Sequence, residues 1–181
     1  MSTQETKWAV DPTHSKIGFK VKHLMISNVL GSFREFEGEV STVGNDFSKS
    51  VIHFSLNAAS VDTEIADRDG HLKSGDFFDV ENYPKITFEG KGLTDLGDDL
   101  YTLTGNLTIK GLSHPVTLNV EYGGVMADPW GNVKAGFAIT GKIKRKDWGL
   151  NWNAALEAGG VLVGEEVKIN CDIELVKQAA Q

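Results

Sequence analysis

Apolar and polar residues alternate through most of this chain. Ile17, Phe19 and Val21 alternate with Lys16, Lys20 and Lys22, and Phe36, Gly38 and Val40 with Glu35, Glu37, Glu39 and Ser41. Ile52, Phe54, Leu56 and Ala58 oppose Val51, His53, Ser55 and Asn57. The pattern returns at Ile86 and Phe88, along Tyr101 to Ile109, and along Val116 to Tyr122. Its longest stripe is Val133, Ala135, Phe137, Ile139, Gly141 and Ile143, and Val167, Ile169, Cys171, Ile173 and Leu175 form the last. A period of two places one face of each strand in an apolar interior and the other in water. Roughly eight or nine such strands in antiparallel order make a sandwich or a barrel. Gly18, Gly38, Gly90, Gly92, Gly105, Gly136 and Gly141 lie within or beside the stripes. Glycine there suits tight coiling or close backbone approach, which favours a closed barrel. An eight-stranded barrel is wide enough to hold one small ligand.

One segment breaks the period. Between Val61 and Phe88 the spacing predicts a short helical insert around residues 63–79, with Thr63 as N-cap and Glu64 in the first turn. Gly75 is placed at its end, and a further short turn over Asp76–Val80. Arg68, Asp69 and His71 stand there beside the aromatic pair Phe77 and Phe78. A charged insert with an aromatic edge in an all-β chain predicts a structure over an opening.

Composition narrows the function. The 181 residues suit one domain with a substantial core. A net charge of −7 argues against broad nucleic-acid binding, which needs a basic surface. The lone Cys171 excludes an internal disulfide, and its inward phase predicts a small buried hydrophobe. The start MSTQETKWAVD has no signal-peptide core and no run approaches the roughly 18 apolar residues of a membrane span, so the expectation is a cytoplasmic chain without a transmembrane segment. The barrel edges and the exposed insert leave a homodimer open.

Few residues suggest chemistry. Arg68 and His71 are i,i+3 neighbours able to reach one anion, and are the candidate head-group pair; anchoring of the helix through Arg68 or Asp69 is the structural alternative. His14, His23, His53 and His114 show no metal-ligand spacing, so no metal is expected. His53 is placed facing solvent and His23 inward. The run Lys142, Lys144, Arg145, Lys146 reads as a solvated strand face, with a docking patch for anionic lipid or a ligand diphosphate as the alternative. Trp148, Leu150 and Trp152 form an apolar cluster, as core or as channel lining.

The order of motifs WAVDPTHSKIGFKVKH, GSFREFEG, RDGHLKSGDFFDVENYPKITF, LTGNLTIKGLSHPVTL and KRKDWGL…VGEEVKI resembles the YceI-like family over about residues 8 to 176. The resemblance implies an extended antiparallel eight-stranded lipocalin-like β-barrel with an elongated apolar cavity for a polyisoprenoid or another long-chain lipid. It also implies a family often exported, and it supplies no agreed catalytic residues. KRKDWGL departs from the RSDFG that family sequences often show, which marks the pocket or rim there as a place of difference. Together the two readings expect a bound lipid, with a quinone or a polyprenyl phosphate as the candidates, and no cofactor. The expected wall is Ile17, Phe19, Val21, Phe36, Phe77, Phe78, Ile86, Phe88, Phe137, Ile139, Trp148 and Trp152. A carrier or store leads. An enzyme using Asp69 and His71 on a barrel-held lipid, and a structural or stress-response protein with a filled interior, are the alternatives.

Overall fold

The stripes become twelve strands in a computed structural model that describes residues 4–157 and 159–179. In chain order they are β1 (Glu5–Val10), β2 (Lys16–His23), β3 (Ser27–Phe33), β4 (Phe36–Val43), β5 (Asp46–Asn57) and β6 (Val61–Asp62). The helix α1 (Ala66–Lys73) follows, then β7 (Lys85–Lys91), β8 (Thr94–Gly97), β9 (Leu100–Ile109), β10 (Leu112–Ala127), β11 (Val133–Lys144) and β12 (Val163–Lys177). β10, at 16 residues, is the longest; it runs through Pro115 and takes a bulge between Tyr122 and Gly124.

Hydrogen-bonded neighbours run β1–β4–β5–β7–β9–β10–β11–β12, and β12 returns to β1 through Val10↔Leu175 and Trp8↔Lys177. Eight antiparallel strands therefore close an all-β barrel, with one short helix. β2 extends β1 along the same edge of β12, from Asp172↔Lys16 to Val163↔His23, and β3 pairs with β2. The barrel is thus lengthened on one side by a hairpin.

The corner between β1 and β2 is fixed by charge. The Asp11 carboxylate accepts the Thr13 N–H at 3.0 Å and hydroxyl at 2.7 Å, and lies 2.8 Å from His14 Nδ1. The Lys134 ammonium reaches Asp11 at 3.3 Å and Glu174 at 3.0 Å. His14 above all, with Thr13 and Lys134, holds the Asp11 carboxyl far below the usual carboxylate range. Asp11, His14 and Glu174 stand close enough to hold a metal ion, but the ammonium already supplies their cation.

Trp8, fully buried, closes the barrel beside this corner. Its indole N–H donates to Thr42 Oγ1 at 2.9 Å, and Phe47 packs on it at 5.1 Å between ring centroids. The larger apolar cluster fills the wall at the opposite, helix-bearing end, around Phe33, Leu56, Phe77, Ile86 and Leu150.

Candidate functional site

The interior is not packed solid. One continuous cavity of about 410 Å³ runs through the barrel, from Val10, Phe47, Ser50 and Leu175 to Lys22, Arg68, His71, Trp152 and Val163. That volume falls within the roughly 300–1,000 Å³ of small-molecule sites. Val163 and Leu175 mark its two ends on β12, about 40 Å apart at ~3.3 Å per residue.

Glycine makes the room. A Cβ on Gly31 would sit 2.2 Å from Phe19 Cζ, and one on Gly105 would sit 2.4 Å from Phe88 Cζ. On Gly38 it would lie 2.9 Å from Phe54 Cδ2, and on Gly141 2.5 Å from Leu118 Cδ2. Large side chains lie flat against neighbouring strands only because those strands carry no side chain at these points. The rings become wall and leave the lumen open.

Ile17, Phe19, Val21, Phe77, Phe78, Ile86, Phe88, Phe137, Ile139 and Trp152 line the cavity. Two expected wall residues stand elsewhere. Phe36 stacks on the lining residue Phe54 at 6.1 Å without lining the cavity itself. Trp148 is buried in the short 3₁₀ segment Arg145–Trp148, where its indole N–H donates to the Leu107 carbonyl at 2.8 Å and its ring meets His114 edge-on. The 3₁₀ turn breaks the strand phase of Ile143, so Trp148 points into the wall instead of the lumen. Cys171 does line the cavity, and burial pushes its thiol up to about 11.

The helix begins later than the spacing predicts. Ile65 is the N-cap, since Glu64 adopts a left-handed φ of 70° and is still outside the helix. Thr63 is instead buried, its N–H and hydroxyl donating to Asp69 Oδ1 at 2.8 and 2.5 Å. Arg68 donates from Nε to Thr63 Oγ1 and from Nη2 to the Thr63 carbonyl, both at 2.7 Å. Asp69 is therefore an anchor of the helix, held away from His71. Arg68 and His71 both reach the cavity. His71 Nε2 lies 2.9 Å from Asp76 Oδ2, and its ring meets Trp152 edge-on at 4.6 Å and Phe77 at 5.1 Å.

The basic run is split by the turn. Lys142, Lys144 and Lys146 are exposed, as a solvated face requires, but Arg145 is buried and faces the cavity. Its Nε donates to the Gly164 carbonyl at 2.7 Å, Nη1 to Leu150 at 2.5 Å and Trp152 at 2.9 Å, and Nη2 to Val163 at 3.3 Å. Burial lowers its pKa, yet a guanidinium keeps its proton. No carboxylate touches it among the described residues. The 3₁₀ turn that opens at Arg145 directs this third basic residue of the run inward, which strand alternation alone did not show. At the other end Ser50 is buried, its Oγ lacking a hydrogen-bond partner among the described residues.

A closed β-barrel around an apolar cavity, with cations gathered at one end, is the architecture of a ligand-binding protein. The YceI-like domain model matches residues 8–175, and the chain belongs to that family. UPF0312 protein SA2479 of Staphylococcus aureus is 41% identical over 170 residues, which is 93% of this chain and 96% of that protein. BcnA of Burkholderia cenocepacia superposes with a TM-score of 0.79 at 24% identity, over 91% of this chain and 98% of that one. A polyisoprenoid-binding domain from Saccharophagus degradans superposes with a TM-score of 0.68 at 17% identity, over 94% and 98%. Both superpositions extend over nearly the whole chain and show the same closed-barrel fold.

Proposed function

We propose that this chain binds a long-chain apolar lipid of the isoprenoid kind, as a carrier or store without turnover. The tail lies along the barrel and the head at the α1 end. The observation that carries this reading is the single continuous cavity, apolar along its length and cationic at one end. The Saccharophagus degradans domain supports the isoprenoid class. Each buried methylene contributes about 0.8 kcal/mol, so an apolar tail is held without specific polar contacts. Polarity is confined mainly to the end where Arg68, His71 and Arg145 meet the lumen. The open interior argues against a barrel filled by its own side chains.

Native mass spectrometry of the purified protein, followed by organic extraction, tests the proposal. A stoichiometric long-chain lipid is the expected result. Phe88→Asp and Phe137→Asp, each placing a carboxylate in the lumen, are expected to abolish retention. Folded variants that keep the lipid would overturn the wall assignment. A protein that takes up no polyprenyl lipid even after incubation would overturn the carrier reading.

A further inference from the structure

The hairpin joining β2 to β3 carries apolar side chains into solvent at the cavity's cationic end. Ile26 is 83% exposed, Met25 59% and Leu24 39%. Leu30 of β3 is 67% exposed, and Val161 of the neighbouring loop is exposed as well. The tip and that loop are one surface: the Leu24 N–H donates to the Leu162 carbonyl at 2.9 Å, and Met25 Sδ lies 2.2 Å from where a Cβ on Gly160 would stand. Lys22, His23, Leu162 and Val163, which adjoin these residues in the chain, line the cavity. The apolar surface is thus continuous with the mouth of the cavity.

A row of like charge runs beside it. Lys142 stands opposite Lys168, Lys168 opposite Lys20, and Lys20 opposite Leu30, across four adjacent strands. Neighbouring strands are about 4.8 Å apart, so three ammonium groups share roughly 10 Å. Like charges placed directly opposite destabilise a sheet. None of the three has a carboxylate partner among the described residues. Of the acidic groups nearest on these strands, Glu165 is paired with Lys146 at 2.7 Å, and Glu166 stands opposite Lys144. This row stands on a chain of net charge −7.

The geometry points to docking of this hairpin on an anionic lipid bilayer, with the cavity mouth held against the membrane surface. The inference deepens the lipid-binding reading and rests on it for its purpose, namely direct transfer between bilayer and barrel. Leu24, Met25 and Ile26 would enter the acyl boundary, to the roughly 5–10 Å typical of interfacial elements. Lys22 and Lys20 lie two and four residues behind Leu24, about 7 and 13 Å along the strand, at headgroup level. A second copy of the chain is disfavoured, because a two-fold contact through this face sets the lysine row against itself.

Co-sedimentation with vesicles tests the docking. The expected result is binding to mixed phosphatidylglycerol–phosphatidylcholine vesicles, little binding to phosphatidylcholine alone, and release at high salt. Ile26→Glu combined with Met25→Glu should lower partitioning at least ten-fold. Lys20→Gln and Lys168→Gln should each lower it about five-fold, matching ~1 kcal/mol per basic residue near a membrane. All four positions are on the outer face, so lipid content by mass spectrometry should be unchanged in every variant. Absence of binding to anionic vesicles, or binding indifferent to the tip and lysine substitutions, overturns the docking. A dimer in sedimentation velocity that Ile26→Glu dissolves also overturns it, in favour of an interface between copies. Vesicle binding by a protein that takes up no lipid would leave the docking standing and defeat the cavity reading instead.

Discussion

Arg145→Met removes the one buried cation of the chain's basic run while keeping much of its apolar stem. The guanidinium bonds to four carbonyls, those of Leu150, Trp152, Val163 and Gly164, and so ties the irregular segment after the 3₁₀ turn to the start of β12. A hydrogen bond to a charged group is worth about 1.5–3 kcal/mol net. Desolvating the guanidinium takes several kcal/mol off their combined effect. The variant leaves four acceptors without their donor, and a loss of about 3–5 kcal/mol follows. Arg145→Lys keeps the charge but offers three donors from one point, which cannot span acceptors belonging to four residues. It should lose at least half as much.

Urea titration gives the midpoint and slope from which these losses are read. Amide exchange locates them: residues 150–164 should exchange faster, while β9 and β10 keep their protection. Trp152 rides on this segment and packs on His71 and Phe77. Lipid retention should therefore weaken even under conditions where the barrel remains folded. A loss below about 1 kcal/mol for Arg145→Met, with an unchanged slope, would refute the reasoning. A lysine variant as stable as the parent would do the same, showing that charge alone matters there.

Three other outcomes follow from the same structure. The Cys171 thiol stays protonated in the fold up to about 11, whereas the unfolded chain ionises near 9. Stability should thus be unaffected below pH 9 and fall by up to about 2–3 kcal/mol towards pH 11, a slope that Cys171→Ala should remove in pH-dependent denaturation. Asp11 has a depressed pKa, so its contribution is present above pH ~4 and lost as pH falls below it; Asp11→Asn should lower stability at neutral pH and flatten the acid limb of the same curve. Ser50 Oγ is buried without a partner among the described residues, and such a group costs about 1–3 kcal/mol, so Ser50→Ala should raise stability by about 1 kcal/mol; a loss of that size would mean that the hydroxyl is bonded to something inside the cavity.

The barrel was legible because period-two alternation is enforced wherever one face of a strand is buried. The stripes at Ile17–Val21, Ile52–Leu56 and Phe137–Ile143 became β2, β5 and β11 with the expected faces inward. The inward stripes were readable for the same reason; Trp148 lies elsewhere because the period stops at Ile143, whereas Phe36 keeps its phase in β4 but does not reach the cavity. Arg145 and Trp148 open and close a 3₁₀ turn that resets the phase, so both exchanged the roles their positions implied. Thr63 resembled a cap by residue type, but the left-handed Glu64 after it delays the helix, and Asp69 claims its hydroxyl. Charge spacing could not show that Arg68 is engaged by Thr63 or that Asp69 and His71 face different partners, since those contacts depend on where the insert folds back.

The glycines explain why this barrel has a lumen at all. Eight strands give an interior just wide enough for side chains to fill, so a cavity needs large residues to be displaced from the axis. Here the displacement is built into cross-strand pairs: Phe19 faces Gly31 across β2 and β3, and Phe54 faces Gly38 across β4 and β5. Each ring takes the space of its neighbour's missing side chain, which keeps apolar area on the wall while emptying the centre. Alanine at position 31 would meet three ring atoms of Phe19 at 2.2–2.8 Å and drive that ring towards the lumen. The same substitution costs about 1–3 kcal/mol in packing and narrows the tube beside Ile169, the partner of Phe19 on β12, so tail fit and fold stability are set by one and the same residue pairing.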